Sequence, residues 1–205
     1  MESCNLICIE KMSKQYIHMD ASERETNLLK PVTGIMKNNE FTFKKCRFKC
    51  VAGGFAAHVD ERTFTYNDID MFKTPFSTTM RFRSEYPNSN IVKIENETPY
   101  QFIYVNYDTK TIQEFMEKCL STFDLQECCV AYGFQVEPIP KFVKCIRQVE
   151  YTKNDICKLD VKRMKKYSKR SKKVTSLKWL SLIVVKDNIK ESELRDFLNP
   201  IEIIF

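Results

Sequence analysis

The chain has 205 residues, 43% of them hydrophobic and 12% aromatic, with a net charge of +6. That length and apolar content can furnish the core of one compact domain with a small appendage, and they exclude a disordered tail or a fibre. The longest apolar stretch, Trp179 to Val185, is interrupted by Ser181 and is far too short to cross a bilayer.

In chain order, residues 1–40 are mixed and polar and read as an N-terminal extension, with a ragged helix over Met12 to Leu29. Phe41 to Val51 alternates as a strand and runs into Gly53-Gly54. The chain holds four glycines, so an adjacent pair marks a place where backbone turns tightly or approaches something closely. Phe55 to Asp60 reads as a short helix, and Asn67 to Phe72 as a strand. Pro75, Pro87 and Pro99 punctuate the next part, in which Ile91 to Ile94 and Gln101 to Tyr107 are predicted strands. The clearest helix is Ile112 to Phe123: Ile112, Phe115, Met116, Cys119, Leu120 and Phe123 form one stripe, and Thr111 and Glu114 have capping-box spacing. Cys128 to Phe134 reads as a buried strand. Residues 41–137 are thus expected to form the main body.

Beyond Pro138 and Pro140 the pattern, over 138–205, becomes mostly helical. Segment 158–173 carries nine cations against Asp160 alone, a net +8, so the other 189 residues carry −2. Cys157, Val161, Met164 and Tyr167 fall on one face of it, which makes Tyr167 a core residue. Trp179 to Val185 is a buried strand or short helix, and Ser192 to Leu198 a last helix closed by Asn199-Pro200.

No basic stretch followed by an apolar run opens the chain, so no secretory leader is expected. Nine cysteines, an odd number, then fit reduced thiols in an intracellular, cytoplasmic setting. The Asn96-Glu97-Thr98 acceptor pattern would matter only in a secreted protein. Cys4-x₃-Cys8 and Cys46-x₃-Cys50 could be combined into a zinc site, but their spacing is loose and buried thiols fit better. His58 reads as structural or exposed, and His18 has no partner that sequence can name.

The chemistry concentrates at Asp68-Ile69-Asp70. In a strand, residues two apart share a face, so the two carboxylates stand together while Ile69 and Met71 point into the opposite layer. At about 4 Å and an effective dielectric near 20, their repulsion is roughly 4 kcal/mol. Solvent, a basic partner or a divalent cation must offset it, and magnesium takes one or two protein carboxylates together with substrate phosphates. Upstream, Gly53-Gly54 ends one strand and opens a helix, where backbone N–H groups can approach a polyphosphate. A phosphate-holding turn followed by a metal-holding Asp-x-Asp suits phosphoryl-type transfer.

Val51-Ala52-Gly53-Gly54, thirteen residues, then Asp68-Ile69-Asp70-Met71-Phe72 resembles the signature of the DNA polymerase β-type nucleotidyltransferase superfamily. Further on, Arg163-x-x-Lys166-Tyr167-x-x-Arg170 is similar to a basic stretch in uncharacterised nucleotidyltransferase-like proteins of large DNA viruses and some eukaryotes. By motif order the resemblance covers about residues 45–175. It implies an α/β (α+β) fold with a small mixed sheet flanked by helices, Mg²⁺ or Mn²⁺ as cofactor and an NTP as substrate. For a viral protein it implies the host cytoplasm or nucleus. It also implies that Asp68 and Asp70 bind the metal, that Gly53 and Gly54 cradle phosphates, and that Asp124 is the third carboxylate. Asp108 and Glu127 lie close to Asp124 in sequence. The superfamily's Gly-Ser version donates a serine hydroxyl, whereas Gly54 offers backbone only.

The implied reaction transfers a nucleoside monophosphate to an acceptor hydroxyl. The rival reading is a catalytically inactive protein of the same fold that binds nucleic acid or a protein partner. For the basic segment, a solvated helix face stands against phosphate contacts from Arg163, Lys166, Lys169 and Arg170, made to RNA, to DNA or to nucleotide at the cleft rim. For Asp124, helix-end solvation stands against metal ligation.

Overall fold

The structure, a computed structural model, describes residues 16–38, 48–61, 64–74, 90–97, 99–135, 141–149, 166–167 and 169–170. It is a mixed α/β fold around one seven-stranded sheet. The strands are β1 (Tyr16–Asp20), β2 (Lys49–Ala52), β3 (Ile69–Lys73), β4 (Ile91–Glu97), β5 (Tyr100–Val105), β6 (Val130–Gln135) and β7 (Lys141–Arg147). Their order is β1-β7-β6-β2-β3-β5-β4. β3 and β5 are parallel, and the other neighbours are antiparallel.

The helices are α1 (Glu23–Leu28), α2 (Lys30–Asn38), α3 (Gly54–Asp60) and α4 (Ile112–Leu120). They divide between the two faces of the sheet. On one face Val51, Ile69, Met71, Phe102, Val130 and Tyr132 pack with Leu29 and Val32 and with Phe55, Ala56 and Val59 of α3. On the other, Cys50, Ala52, Phe72, Ile103, Ala131 and Val143 pack against the Ile112, Phe115, Met116, Cys119 and Leu120 stripe of α4. Alternation along β3 therefore separates Ile69 and Met71 from Phe72, as the period of two requires. Gly133 lets α4 lie close on β6, since a Cβ there would stand 2.7 Å from Ile112 Cγ1 and 2.8 Å from Met116 Sδ.

Two segments differ from expectation. The helix expected over Met12 to Leu29 is a strand over Tyr16–Asp20, paired with β7, before α1 begins at Glu23. Residues after Pro140 were expected to be helical, yet Lys141–Arg147 is a largely buried strand between β1 and β6. Residues 40 and 137, the expected segment boundaries, thus fall between strands of a single sheet. Ser22 and Glu25 form a full capping box at α1. At α4, Thr111 accepts from the Glu114 amide, but the Glu114 carboxylate accepts from the Lys110 amide.

A buried ion cluster ties α1 and α3 to the sheet. One oxygen of Glu25 accepts from Tyr132 Oη at 2.7 Å and Lys144 Nζ at 2.8 Å; the other accepts from the Ser22 amide and hydroxyl. Lys144 also reaches Asp60 at the end of α3. Burial alone would raise the Glu25 carboxyl, but the bonds from Lys144, Ser22 and Tyr132 outweigh it and bring the pKa down to about 2.

Cys50, Cys119, Cys128, Cys129 and Cys145 are buried free thiols. Cys4, Cys8, Cys46, Arg163, Trp179 to Val185 and Ser192 to Leu198 lie outside the described residues. Among the described residues no helix is long and apolar enough to cross a membrane.

Candidate functional site

The site forms where β2 ends and β3 begins. These strands are antiparallel neighbours, with Ala52 opposite Asp70, so the exit of one and the entry of the other share an edge of the sheet. Gly53 makes the turn with φ 79°, a conformation that L side chains rarely adopt. A Cβ on Gly53 would stand 3.0 Å from Asp70 Oδ2 and 3.6 Å from the Phe123 ring. Glycine is thus required twice, once by the backbone and once by the carboxylate packed against it.

Asp70 is half-buried on the sheet face that also carries Ala52 and Phe72, and Asp68 precedes it in the bend that opens β3. Burial pushes the Asp70 carboxyl up from 3.8 to about 6; the Asp68 charge adds to the rise, while Lys166 and Arg170 oppose it. The expected pair of mutually repelling carboxylates is therefore present, and the charges acting on it are named. Beside Asp70 on the parallel strand β5 stands Gln101, an amide with no charge of its own.

The C-terminal basic segment supplies the cations. Residues 166, 167, 169 and 170 are helical. Arg170 O accepts from the Thr65 amide at 3.0 Å, and the Tyr167 ring stacks on Phe64 at 6.1 Å. Tyr167 packs against the core, as its helical face led one to expect. Arg170 lies over the Tyr167 ring at 5.1 Å and places Nη1 3.6 Å from where a Gly54 Cβ would be. Lys166 and Arg170 thus face the glycine turn and the acid pair. Lys169 is exposed on the same helical piece.

Asp124 follows Phe123, whose ring meets both Gly53 and Phe72. Its loop leads into β6, where Ala131 is level with Ala52, so Asp124 lies on the same edge of the sheet as the glycine turn. Arg147 fixes this loop: its Nη1 donates to Leu120 O and Phe123 O, each at 2.7 Å. Gln126 joins in by donating to Arg147 O and accepting from the Val149 amide. Among the described residues no three His, Cys, Asp or Glu side chains gather into a metal-holding group. The donor set still fits a hard divalent cation. Two adjacent carboxylates, one of them with its ionised form disfavoured by burial and by its neighbour, gain most from such a charge. Among the described residues the cysteines are buried in the core.

Sequence reading passed over Tyr66, which retains 38% of its surface exposed beside Gly54. The signal available was an aromatic two residues before Asp68, in a loop that also holds Phe64. Arg147 and Gln101 carried no local signal, since their roles come from strand pairing. The histidines are structural. His58 Nδ1–H donates to Phe64 O at 2.6 Å, and His18 pairs with Glu117 at 2.7 Å.

Compared with family models, curated proteins and solved structures, the chain matches none.

Proposed function

We propose that the chain is a nucleotidyltransferase of the DNA polymerase β type: an acceptor hydroxyl attacks the α-phosphate of an NTP, the bond to the β-phosphate breaks, and pyrophosphate leaves. The observation that carries this reading is the convergence of Gly53, Gly54, Asp68, Asp70, Lys166 and Arg170 at one edge of the sheet. Asp68 and Asp70 would hold Mg²⁺ or Mn²⁺. That ion would supply positive charge to offset the charge that develops on the phosphates. Arg170 and Lys166 offset the charge of the acid pair and would also pair with phosphate. Arginine suits both, because its planar fork matches carboxylate and phosphate alike. The backbone at Gly53 and Gly54 would approach the phosphates where no side chain intervenes. Asp124, on its Arg147-braced loop, would accept the proton of the acceptor hydroxyl.

This placement turns the basic segment, at Lys166 and Arg170, toward the nucleotide cleft. Lys169, exposed on the same helical piece, would be free to meet an RNA or DNA acceptor. The test is incubation with α-labelled NTPs and Mg²⁺ or Mn²⁺, comparing wild type with Asp68→Ala/Asp70→Ala. Label transfer by wild type alone supports the reading; equal transfer by both proteins sinks it.

A second reading has its own observation. Gln101, a neutral amide, is the neighbour of Asp70 on the parallel strand β5. With no added charge from that strand, a protein of this fold would bind nucleotide without transferring it. It is distinguished by saturable NTP binding with no label transfer to any acceptor.

A further inference from the structure

The geometry points to Tyr66 as the platform that recognises the nucleoside, by stacking its ring against the base of the NTP. The inference rests on the nucleotide-binding part of the reading above and adds the element that tells a nucleotide from a bare polyphosphate.

Among the described residues, two large apolar side chains are exposed, Met19 at 43% and Tyr66 at 38%. Met19 lies on the edge strand β1, far along the sheet order from β3. Tyr66 is at the site: its Cβ is 3.7 Å from the point where a Gly54 Cβ would be, and Arg170 Nη1 is 3.6 Å from that same point. Two residues later comes Asp68. The Tyr66 Cβ and the Arg170 guanidinium therefore flank Gly54, next to the Gly53 turn on which Asp70 packs.

The ring is also held in place. It meets Phe55 edge-to-face at 4.9 Å and His58 at a tilt at 5.0 Å. His58 is itself fixed by its bond to Phe64 O, and Thr65 by its bond to Arg170 O. A preorganised ring loses little conformational entropy when a ligand covers it. A flat ligand face laid on the ring would bury the aromatic surface that is still exposed. Every nucleobase offers such a face, so the platform selects for a base without reading which one it is. The Arg170 guanidinium beside it would meet the phosphates, so ring and cation divide the nucleotide between them.

The test is calorimetric titration of the full chain, with Mg²⁺, against ATP, UTP and inorganic tripolyphosphate. Wild type is compared with Tyr66→Phe, Tyr66→Leu and Tyr66→Ala; leucine keeps apolar bulk against Phe55 and guards against a folding artefact. Expected is a loss of ATP and UTP affinity of about 5- to 150-fold in the Leu and Ala variants, the range for one stacked base. Tyr66→Phe keeps wild-type affinity, and tripolyphosphate binds all four proteins alike. Unchanged nucleotide affinity in Tyr66→Leu, or an equal loss for tripolyphosphate, overturns the platform and leaves the phosphate site standing. Failure of wild type to bind ATP, UTP or tripolyphosphate overturns both.

Discussion

Replacing Asp70 by Asn removes a charge that the folded protein holds at a cost. Burial first, and then Asp68, moves the Asp70 pKa from 3.8 to about 6, even though Lys166 and Arg170 act against them. A carboxyl whose folded pKa is raised contributes stability that is fully present below its unfolded pKa and is lost as pH rises through the folded value. For Asp70 that window runs from 3.8 to about 6. At 1.36 kcal/mol per unit, the ionised group costs the native state up to about 3 kcal/mol above pH 6. Asp70→Asn keeps the shape of the neutral acid and avoids that cost. The variant is expected to match wild type below pH 4 and to exceed it by up to about 3 kcal/mol at pH 7.5. For a chain of this size that is a rise in Tm of about 6–12 °C. Thermal unfolding followed by circular dichroism from pH 3.5 to 8 measures it. A variant less stable than wild type at pH 7.5, or a gap that does not change with pH, would refute the electrostatic account of the site. A stabilised variant that also fails to transfer label would mark Asp70 as a group kept for function against stability.

Lys144→Ala leaves Glu25 buried without its cation, and a loss of about 3–5 kcal/mol in urea unfolding is expected at neutral pH. Because the folded pKa of Glu25 is depressed to about 2, its contribution is present above about 4.5 and disappears as pH falls through 2, so the penalty of the variant should shrink in acid. Gly53→Ala forces an L residue to φ 79° and sets a Cβ 3.0 Å from Asp70 Oδ2; a loss of about 1–3 kcal/mol is expected, with weakened nucleotide binding. Gly133→Ala presses on Ile112 and Met116 and should cost about 1–3 kcal/mol while leaving nucleotide affinity unchanged, which separates packing of α4 from the site.

Much of this arrangement is local enough to be legible in sequence. The Ile112 to Leu120 stripe, the Gly53-Gly54 turn and the short helix after it each follow from spacing alone, whereas Asp68, expected within the strand, stands in the bend before it. The edge strand β1 does not. Its last three residues, His18, Met19 and Asp20, are exposed, so no alternation marks it, and only pairing with β7 makes it a strand. β7 itself follows two prolines and carries Lys141, Lys144 and Arg147, which read as surface. In the fold Lys144 is buried, because Glu25, 119 residues away, supplies its counter-charge. The docking of Arg170 on Gly54 is long-range in the same sense. Sequence supplied the cations, but whether they faced solvent, nucleic acid or the acid pair depended on the Thr65 and Phe64 contacts.

The central claim is that Asp68 and Asp70 form a metal–nucleotide site beside Gly53 and Gly54. Calorimetric titration of Mn²⁺–ATP into wild type and into Asp68→Ala/Asp70→Ala tests it most directly. Circular dichroism of the double variant, expected to match wild type, separates loss of binding from unfolding. Saturable binding to one site in wild type, abolished in the double variant, is the expected result; the same affinity in both proteins would contradict the claim.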